Sequence, residues 1–182
     1  MKKILIESSL VMTCLAIMVN ISLADTVMVN SCDRQVEFDI TPSRVIVHDL
    51  NMNEMIMALD LEGRLVGVTG VTGWYKKEGP ALMKKLGGVP ELAPKYPTLE
   101  NLLAAEPGLF IAGWYYGMKP GGEVTHDILA KHGVKTLELT ESCIHLQKST
   151  TNASMDLLFN DILRLGRVFD KPTRAEALVK NW

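Results

Sequence analysis

The chain has 182 residues, which is enough for one ordinary domain with a sizeable buried core. Its 19 Lys and Arg residues nearly balance its 21 Asp and Glu residues, giving a formal net charge of −2. This balance argues against a nucleic-acid partner and against a polybasic membrane patch.

The first 24 residues have the pattern of a secretory signal peptide. A basic start, Met1-Lys2-Lys3, precedes a mostly apolar run over residues 10–21 and the small residues of Ser22-Leu23-Ala24. We therefore predict cleavage before Asp25. The alternative is an amino-terminal membrane anchor, but the apolar run is shorter than the roughly 20 residues that span a bilayer.

Strand-like and helix-like stretches alternate through the rest of the chain. Residues 26–40 predict a small hairpin. The following stretches predict strands at 44–49, 65–69, 109–112 and 134–139, and helices at 52–59, 99–105, 125–132 and 155–169. Such alternation with short connections predicts a parallel α/β layer.

Two capping boxes are predicted at helix starts. Asn51 is placed to cap the first helix, with Glu54 three residues later, and Thr173 is placed to cap a final helix with Glu176. Capping explains Glu54 better than ligand binding does.

In a parallel layer, ligands meet the loops beyond the carboxyl ends of the strands, which here are residues 51–53, 71–77 and 114–116. These loops hold amides and aromatics and no nucleophile–base pair, so they predict a surface that grips a molecule and contains no catalytic residue. Adjacent aromatics in a loop cannot all point into one core, although packing between the loops is an alternative. The candidate ligand-binding residues are Asn51, Asn53, Trp74, Tyr75, Trp114, Tyr115 and Tyr116.

The histidines are scattered and do not predict a metal site. His126 and His132 would not share a helix face, and no phosphate-binding loop or hydrolase motif occurs. We expect no metal site and no cofactor.

Three motifs in order carry a family resemblance. They are Pro-x-Arg-Val-Ile-Val from Pro42, Ala-Leu-Asp-Leu-Glu-Gly-Arg-Leu-Val-Gly-Val over residues 58–68, and the Pro-Thr-Leu-Glu helix start at 97–100 leading to the apolar strand before Gly113. Together they resemble the amino-terminal lobe of periplasmic substrate-binding proteins of the iron-siderophore and cobalamin ABC-transporter class. The resemblance covers residues 30–182. It implies a single Rossmann-like lobe with a central parallel sheet flanked by helices.

The resemblance also implies a function. A periplasmic solute-binding component would capture a metal chelate (an iron-siderophore, haem or a corrinoid-like compound) and deliver it to an ABC permease. Aromatic side chains would stack on the chelate, and Asn51 or Asn53 would form hydrogen bonds with it. Residues 25–172 would form the lobe and residues 173–182 the start of an inter-lobe helix, with the second lobe absent from the chain.

Glu100 and two cysteines complete the expectations. In the resembling class the glutamate at the position of Glu100 faces a permease arginine, whereas the alternative is a solvated carboxylate at a helix amino terminus. Cys14 leaves with the signal peptide, so Cys32 and Cys143 remain as an even pair in an oxidising compartment. The resemblance supports a disulfide between them; two buried thiols are the alternative.

Two other function classes remain open at this stage. One is a free lobe with an interaction role, and the other is a chelatase-like enzyme on a related scaffold. The signal peptide and the lack of a catalytic constellation argue against the enzyme.

Overall fold

The computed structural model describes residues 25–146 and 154–182. The predicted signal peptide, residues 1–24, lies outside the described residues. None of the described helices is long and apolar enough to cross a bilayer.

A two-stranded hairpin precedes a parallel sheet. The hairpin pairs β1 (Thr26–Ser31) with β2 (Arg34–Asp39) in antiparallel register. The sheet has the order β5-β4-β3-β6-β8, and short β7 pairs with the last two residues of β6. Its strands are β3 (Val45–His48), β4 (Leu65–Thr69), β5 (Glu91–Ala93), β6 (Leu109–Trp114), β7 (Gly117–Met118) and β8 (Lys135–Glu138).

Helices cover both faces of the sheet. They are α1 (Leu50–Ala58), α2 (Glu78–Lys85), α3 (Leu99–Ala104), α4 (His126–Ala130), α5 (Met155–Val168) and α6 (Pro172–Asn181). Val47 and Ile111 pack on the side that holds α1 and α5, whereas Ile46 and Phe110 pack on the side that holds α3 and α4. This alternation buries both sides of β3 and β6, which explains why these strands read as continuous apolar runs. The predicted parallel α/β fold is confirmed.

A disulfide and a buried ion-pair network hold the hairpin to the sheet. Cys32 and Cys143 form a disulfide with their Cα atoms 5.2 Å apart. Arg34 donates hydrogen bonds to Glu138 and Thr136 of β8. Burial raises the pKa of Glu138, and the nearby Arg34 guanidinium opposes that shift.

Arg164 of α5 is the second link in this network. It is 8% exposed and donates to the backbone carbonyls of Asn30 and Glu138 and to the Asp161 carboxylate. Asp161 in turn accepts the backbone N–H of Thr140. One buried guanidinium therefore joins α5, the hairpin and the end of β8.

Both predicted capping boxes are wrong. The α1 helix begins at Leu50 because Asp49, not Asn51, caps it: the Asp49 carboxylate accepts the backbone N–H of Asn51. The α6 helix already begins at Pro172, so Thr173 lies inside its first turn and makes no capping hydrogen bond. A capping box forms instead at α3, between Thr98 and Asn101.

Candidate functional site

The carboxyl ends of the parallel strands lie at one edge of the sheet, which we call the carboxyl edge. The loops after β3, β4, β5, β6 and β8 all begin there. Two residues at strand ends on this edge have left-handed backbone conformations, Asp49 with φ 66° and Tyr115 with φ 63°. Such strain in residues other than glycine concentrates at binding sites.

Three exposed aromatic side chains, which we call the aromatic cluster, stand on this edge. Trp74, Tyr96 and Tyr115 are 48%, 49% and 47% exposed. Tyr96 is central: its ring meets Trp74 edge-on at 6.0 Å between centroids, and its hydroxyl donates to the Tyr115 carbonyl at 2.6 Å. The Lys95 ammonium lies 4.7 Å from the centroid of the Trp74 ring. The cluster presents aromatic faces to solvent on a framework of internal contacts.

A buried histidine supports the cluster from below. The His48 ring stacks on Tyr96 with 5.7 Å between centroids, and Nδ1 lies 2.8 Å from the Thr69 hydroxyl. Burial lowers the pKa of His48 to about 4, so the ring is neutral at pH 7. A Cβ at Gly70 would lie 2.4 Å from the His48 ring, and one at Gly117 would lie 2.8 Å from it. Both positions need glycine because the backbone passes directly against the imidazole.

Asp49 organises the polar part of the edge. The Tyr75 hydroxyl donates to the Asp49 carboxylate at 2.7 Å. Burial, and then this hydrogen bond, raise the pKa of Tyr75. Asn51 is half-buried, and its side-chain oxygen accepts the backbone N–H of Met52 at 2.7 Å. Tyr75 and Asn51 therefore both lie at the carboxyl edge, and the side chain of each already makes one hydrogen bond within the protein.

Tyr116 and Tyr115 diverge after β6. Tyr116 is half-buried against the apolar core, and burial together with the Glu141 carboxylate raises the pKa of its hydroxyl. Tyr115 instead points outward and meets His145 edge-on at 4.8 Å between centroids. Tyr115 is therefore a surface residue, whereas Tyr116 packs on the core but stays partly exposed, in agreement with the expectation that adjacent aromatics cannot all point into one core.

Trp114 does not belong to the exposed surface, which corrects the prediction. It is 3% exposed and meets His126 edge-on at 5.6 Å between centroids. The β6 strand runs two residues further than predicted, so strand alternation puts Trp114 on the same buried face as Phe110 and Ala112.

Asn53 is also excluded from ligand contact. It is fully buried, and its amide donates to the Asp49 carbonyl at 2.7 Å. Because α1 begins at Leu50, residue 53 lies one turn inside the helix with its side chain directed back at the cap.

The sequence reasoning missed Tyr96 and His48. Tyr96 follows β5, a strand of three residues that is too short to read from periodicity. The available signal was the punctuation of Pro94-Lys95-Tyr96-Pro97, where proline marks a loop around an aromatic residue. His48 lies in the strand predicted at 44–49, but the sequence does not show that its ring packs against Tyr96 and Thr69.

Two cavities are candidates for the binding site. A cleft of about 400 Å³ lies between Tyr96 and Tyr115, with Lys119 and Val124 on its far wall. A larger cavity, of about 600 Å³, lies beside the Cys32–Cys143 disulfide and α5, and no residue of the aromatic cluster lines it. We take the carboxyl edge as the candidate site because only the first of these two cavities adjoins the exposed aromatics.

The structure also locates Glu100 and tests for metal ligands. Glu100 is exposed in the first turn of α3, whose start is fixed by the Thr98–Asn101 capping box. Across residues 25–146 and 154–182, no three His, Cys, Asp or Glu side chains group closely enough to hold a metal ion.

Comparisons with known proteins identify the fold. No family model and no curated protein matches the sequence. A Fe3+-hydroxamate transport protein from Saccharomonospora viridis is 24% identical with a TM-score of 0.66, over 85% of this chain and 52% of that one. A periplasmic binding protein from Veillonella parvula is 23% identical with a TM-score of 0.68, over 87% and 50%.

A periplasmic heme-binding protein from Pseudomonas aeruginosa is also similar. It is 23% identical with a TM-score of 0.56, over 77% of this chain and 43% of that one. The chain therefore spans about half the length of the solved structures it matches. Its fold is that of one lobe of a periplasmic binding protein.

Proposed function

We propose that the chain is a lobe of the periplasmic solute-binding component of an ABC importer, where it captures a metal chelate and delivers it to the permease. The observation that carries the proposal is the aromatic cluster of Trp74, Tyr96 and Tyr115 at the carboxyl edge of a binding-protein lobe. The proposed contact set is this cluster together with Tyr75, Tyr116 and Asn51.

Exposed aromatic rings at a strand edge suit a flat or apolar ligand. Each ring buries a large area when a ligand covers it, and its rigidity keeps the entropic cost of ordering low. The cluster is already ordered by the Tyr96–Tyr115 hydrogen bond and the Tyr96–His48 stack. A preorganised surface of this kind favours binding over chemistry.

The tyrosine hydroxyls favour a chelate over a bare iron ion. Burial raises the pKa of Tyr75, Tyr96 and Tyr116, and the carboxylates of Asp49 and Glu141 add to the shift. Direct coordination of iron by a phenolate requires deprotonation, which these surroundings oppose. A ligand that arrives with its iron already coordinated needs no such step.

The structural neighbours support the same ligand class. They include a Fe3+-hydroxamate transport protein, a heme-binding protein and a siderophore-binding protein bound to acinetobactin and ferric iron. In a two-lobed protein of this type, residues 25–172 would form the first lobe. Residues 173–182 would begin the helix that leads to the second, and Glu100 would meet the permease.

Calorimetric titration of the purified chain with a ferric hydroxamate, a ferric catecholate and haem tests the proposal. A lobe that supplies half of the contacts of a nanomolar site should bind its chelate with a Kd of about 10–1000 μM. Trp74→Ala should weaken that binding by about 1–3 kcal/mol. Trp182→Ala is the control, because Trp182 is also exposed, at 60%, but lies after α6.

Two results would contradict the proposal. If no chelate binds at millimolar concentration, the capture function is wrong. If a chelate binds and Trp74→Ala has no larger effect than Trp182→Ala, the aromatic cluster is not the binding surface.

A further inference from the structure

The loop that carries Trp74 is fastened to the loop that carries Tyr96. The backbone N–H of Gly70 donates to the Ala93 carbonyl at 2.8 Å, and that of Gly73 donates to the Pro94 carbonyl at 2.8 Å. A Cβ at Gly73 would lie 2.0 Å from the Pro94 oxygen, so the two loops touch backbone to backbone. The spacing of the two aromatic rings depends on this junction.

One carboxylate completes the junction. Glu91, the first residue of β5, accepts the backbone N–H groups of Val71 and Thr72 on a single oxygen, at 2.9 and 2.8 Å. Its other oxygen accepts the Thr72 hydroxyl at 2.6 Å. Two consecutive N–H groups converging on an anion form a strong and directional contact. Glu91 therefore fixes the stretch between Gly70 and Gly73 that the backbone bonds leave free.

We propose that Glu91 is a positioning residue for the binding surface: it sets the distance and angle between Trp74 and Tyr96 without touching the ligand. The proposal rests on the proposed function of that surface. When the Glu91 carboxylate is removed, the N–H groups of Val71 and Thr72 lose their acceptor, and the loop that carries Trp74 becomes free to reorient toward water. Trp74 then loses its fixed contact with Tyr96. Ligand binding must order the Trp74 side chain again, and the affinity falls by that free energy.

Glu91→Ala and Glu91→Gln separate positioning from simple loss of stability. Glutamine keeps an oxygen for the two N–H groups, and its amide donates to the Thr72 hydroxyl. Glu91→Ala should weaken chelate binding about tenfold, whereas Glu91→Gln should stay within about threefold of the unaltered chain. Thr72→Val removes one of the three bonds and should give a smaller effect in the same direction, which keeps the test valid if Glu91→Ala does not fold.

Glu37→Ala is the matched control. The Glu37 carboxylate also accepts a threonine hydroxyl, that of Thr26 at 2.7 Å, but in the hairpin away from the carboxyl edge. This variant should bind the chelate as the unaltered chain does.

The ring of Trp74 gives a second readout that needs no ligand. In a Trp182→Phe background, acrylamide quenching reports on Trp74, because Trp114 is buried. Glu91→Ala should increase the quenching and lower the fluorescence anisotropy, and Glu91→Gln should restore both. If Trp74 is quenched equally in Glu91→Ala and in the chain that keeps Glu91, the positioning role is wrong, whatever happens to affinity or melting temperature.

Chelate affinity and Trp74 fluorescence together distinguish failure of the proposed function from failure of the positioning role of Glu91. If the unaltered chain binds no chelate but Glu91→Ala frees Trp74, the proposed function fails and the positioning role stands. If the chain binds a chelate and Glu91→Ala changes neither affinity nor the Trp74 signal, the positioning role alone fails.

Discussion

The phenol ring of Tyr96 lies on the imidazole of His48, with 13° between the ring planes. The exposed centre of the aromatic cluster thus rests on a buried group that can take up a proton. This contact connects the aromatic cluster to the pH dependence of folding.

Stability should fall in mild acid because of His48. Burial lowers its pKa from 6.5 to about 4 in the folded chain, so the unfolded chain binds more protons between those values. The stabilisation is complete above pH 6.5 and is lost as the pH falls toward 4, by a total of about 3 kcal/mol. Urea unfolding at pH 7, 5.5 and 4.5 measures it. A His48→Gln variant with the same pH dependence as the unaltered chain would contradict this prediction.

Replacing Trp114 by alanine should destabilise the fold much more than replacing Trp74. Trp114→Ala empties a core position and should lower the free energy of unfolding by about 3–5 kcal/mol. Trp74→Ala changes an exposed ring and should cost less than about 1 kcal/mol. Urea denaturation of both variants checks the contrast. Equal losses would mean that the two rings are buried alike.

Replacing Arg164 by methionine should strongly destabilise the fold. The change leaves Asp161 buried without its cation and removes the donors to two backbone carbonyls, at a cost of about 3–5 kcal/mol. Arg167 lies on the same helix, three residues further on, and is exposed. Arg167→Met is therefore the control and should change stability by no more than about 0.5 kcal/mol in the same urea assay.

Glu100→Ala should uncouple capture from import. The side chain is exposed at the start of α3, outside the aromatic cluster, so chelate affinity measured by calorimetry should not change. Chelate uptake in cells that carry the cognate permease should fall, and Glu62→Ala, another exposed acid, should leave uptake intact. Loss of affinity in Glu100→Ala would place the residue in the binding surface instead.

The sheet was predictable because its central strands are apolar on both faces. For β4 the predicted and observed bounds agree, because a short 3-10 helix ends at Arg64 just before the strand and Gly70 follows it with a positive φ. The β5 strand and α2 were not predicted: a strand of three residues shows no periodicity, and Gly79 and Pro80 in the first turn of α2 are residues typical of loops.

The candidate site was only partly predictable because it depends on strand lengths and on contacts between distant loops. Two extra residues in β6 decide that Trp114 is core and Tyr115 is surface. Similarly, the start of α1 at Leu50 decides that Asn53 faces inward. The Tyr96–His48 stack joins residues whose proximity no local pattern encodes.

The long loop that the Cys32–Cys143 bridge closes has a consequence for the order of folding and oxidation. The two residues are 111 positions apart, so an exported chain that emerges amino terminus first exposes Cys32 long before its partner. All strands of the parallel sheet lie between the two cysteines in the chain. If the chain is exported in this order, oxidation of the pair can follow only after the last strand has crossed the membrane, and an oxidised monomer would mark a chain whose sheet has been fully translocated.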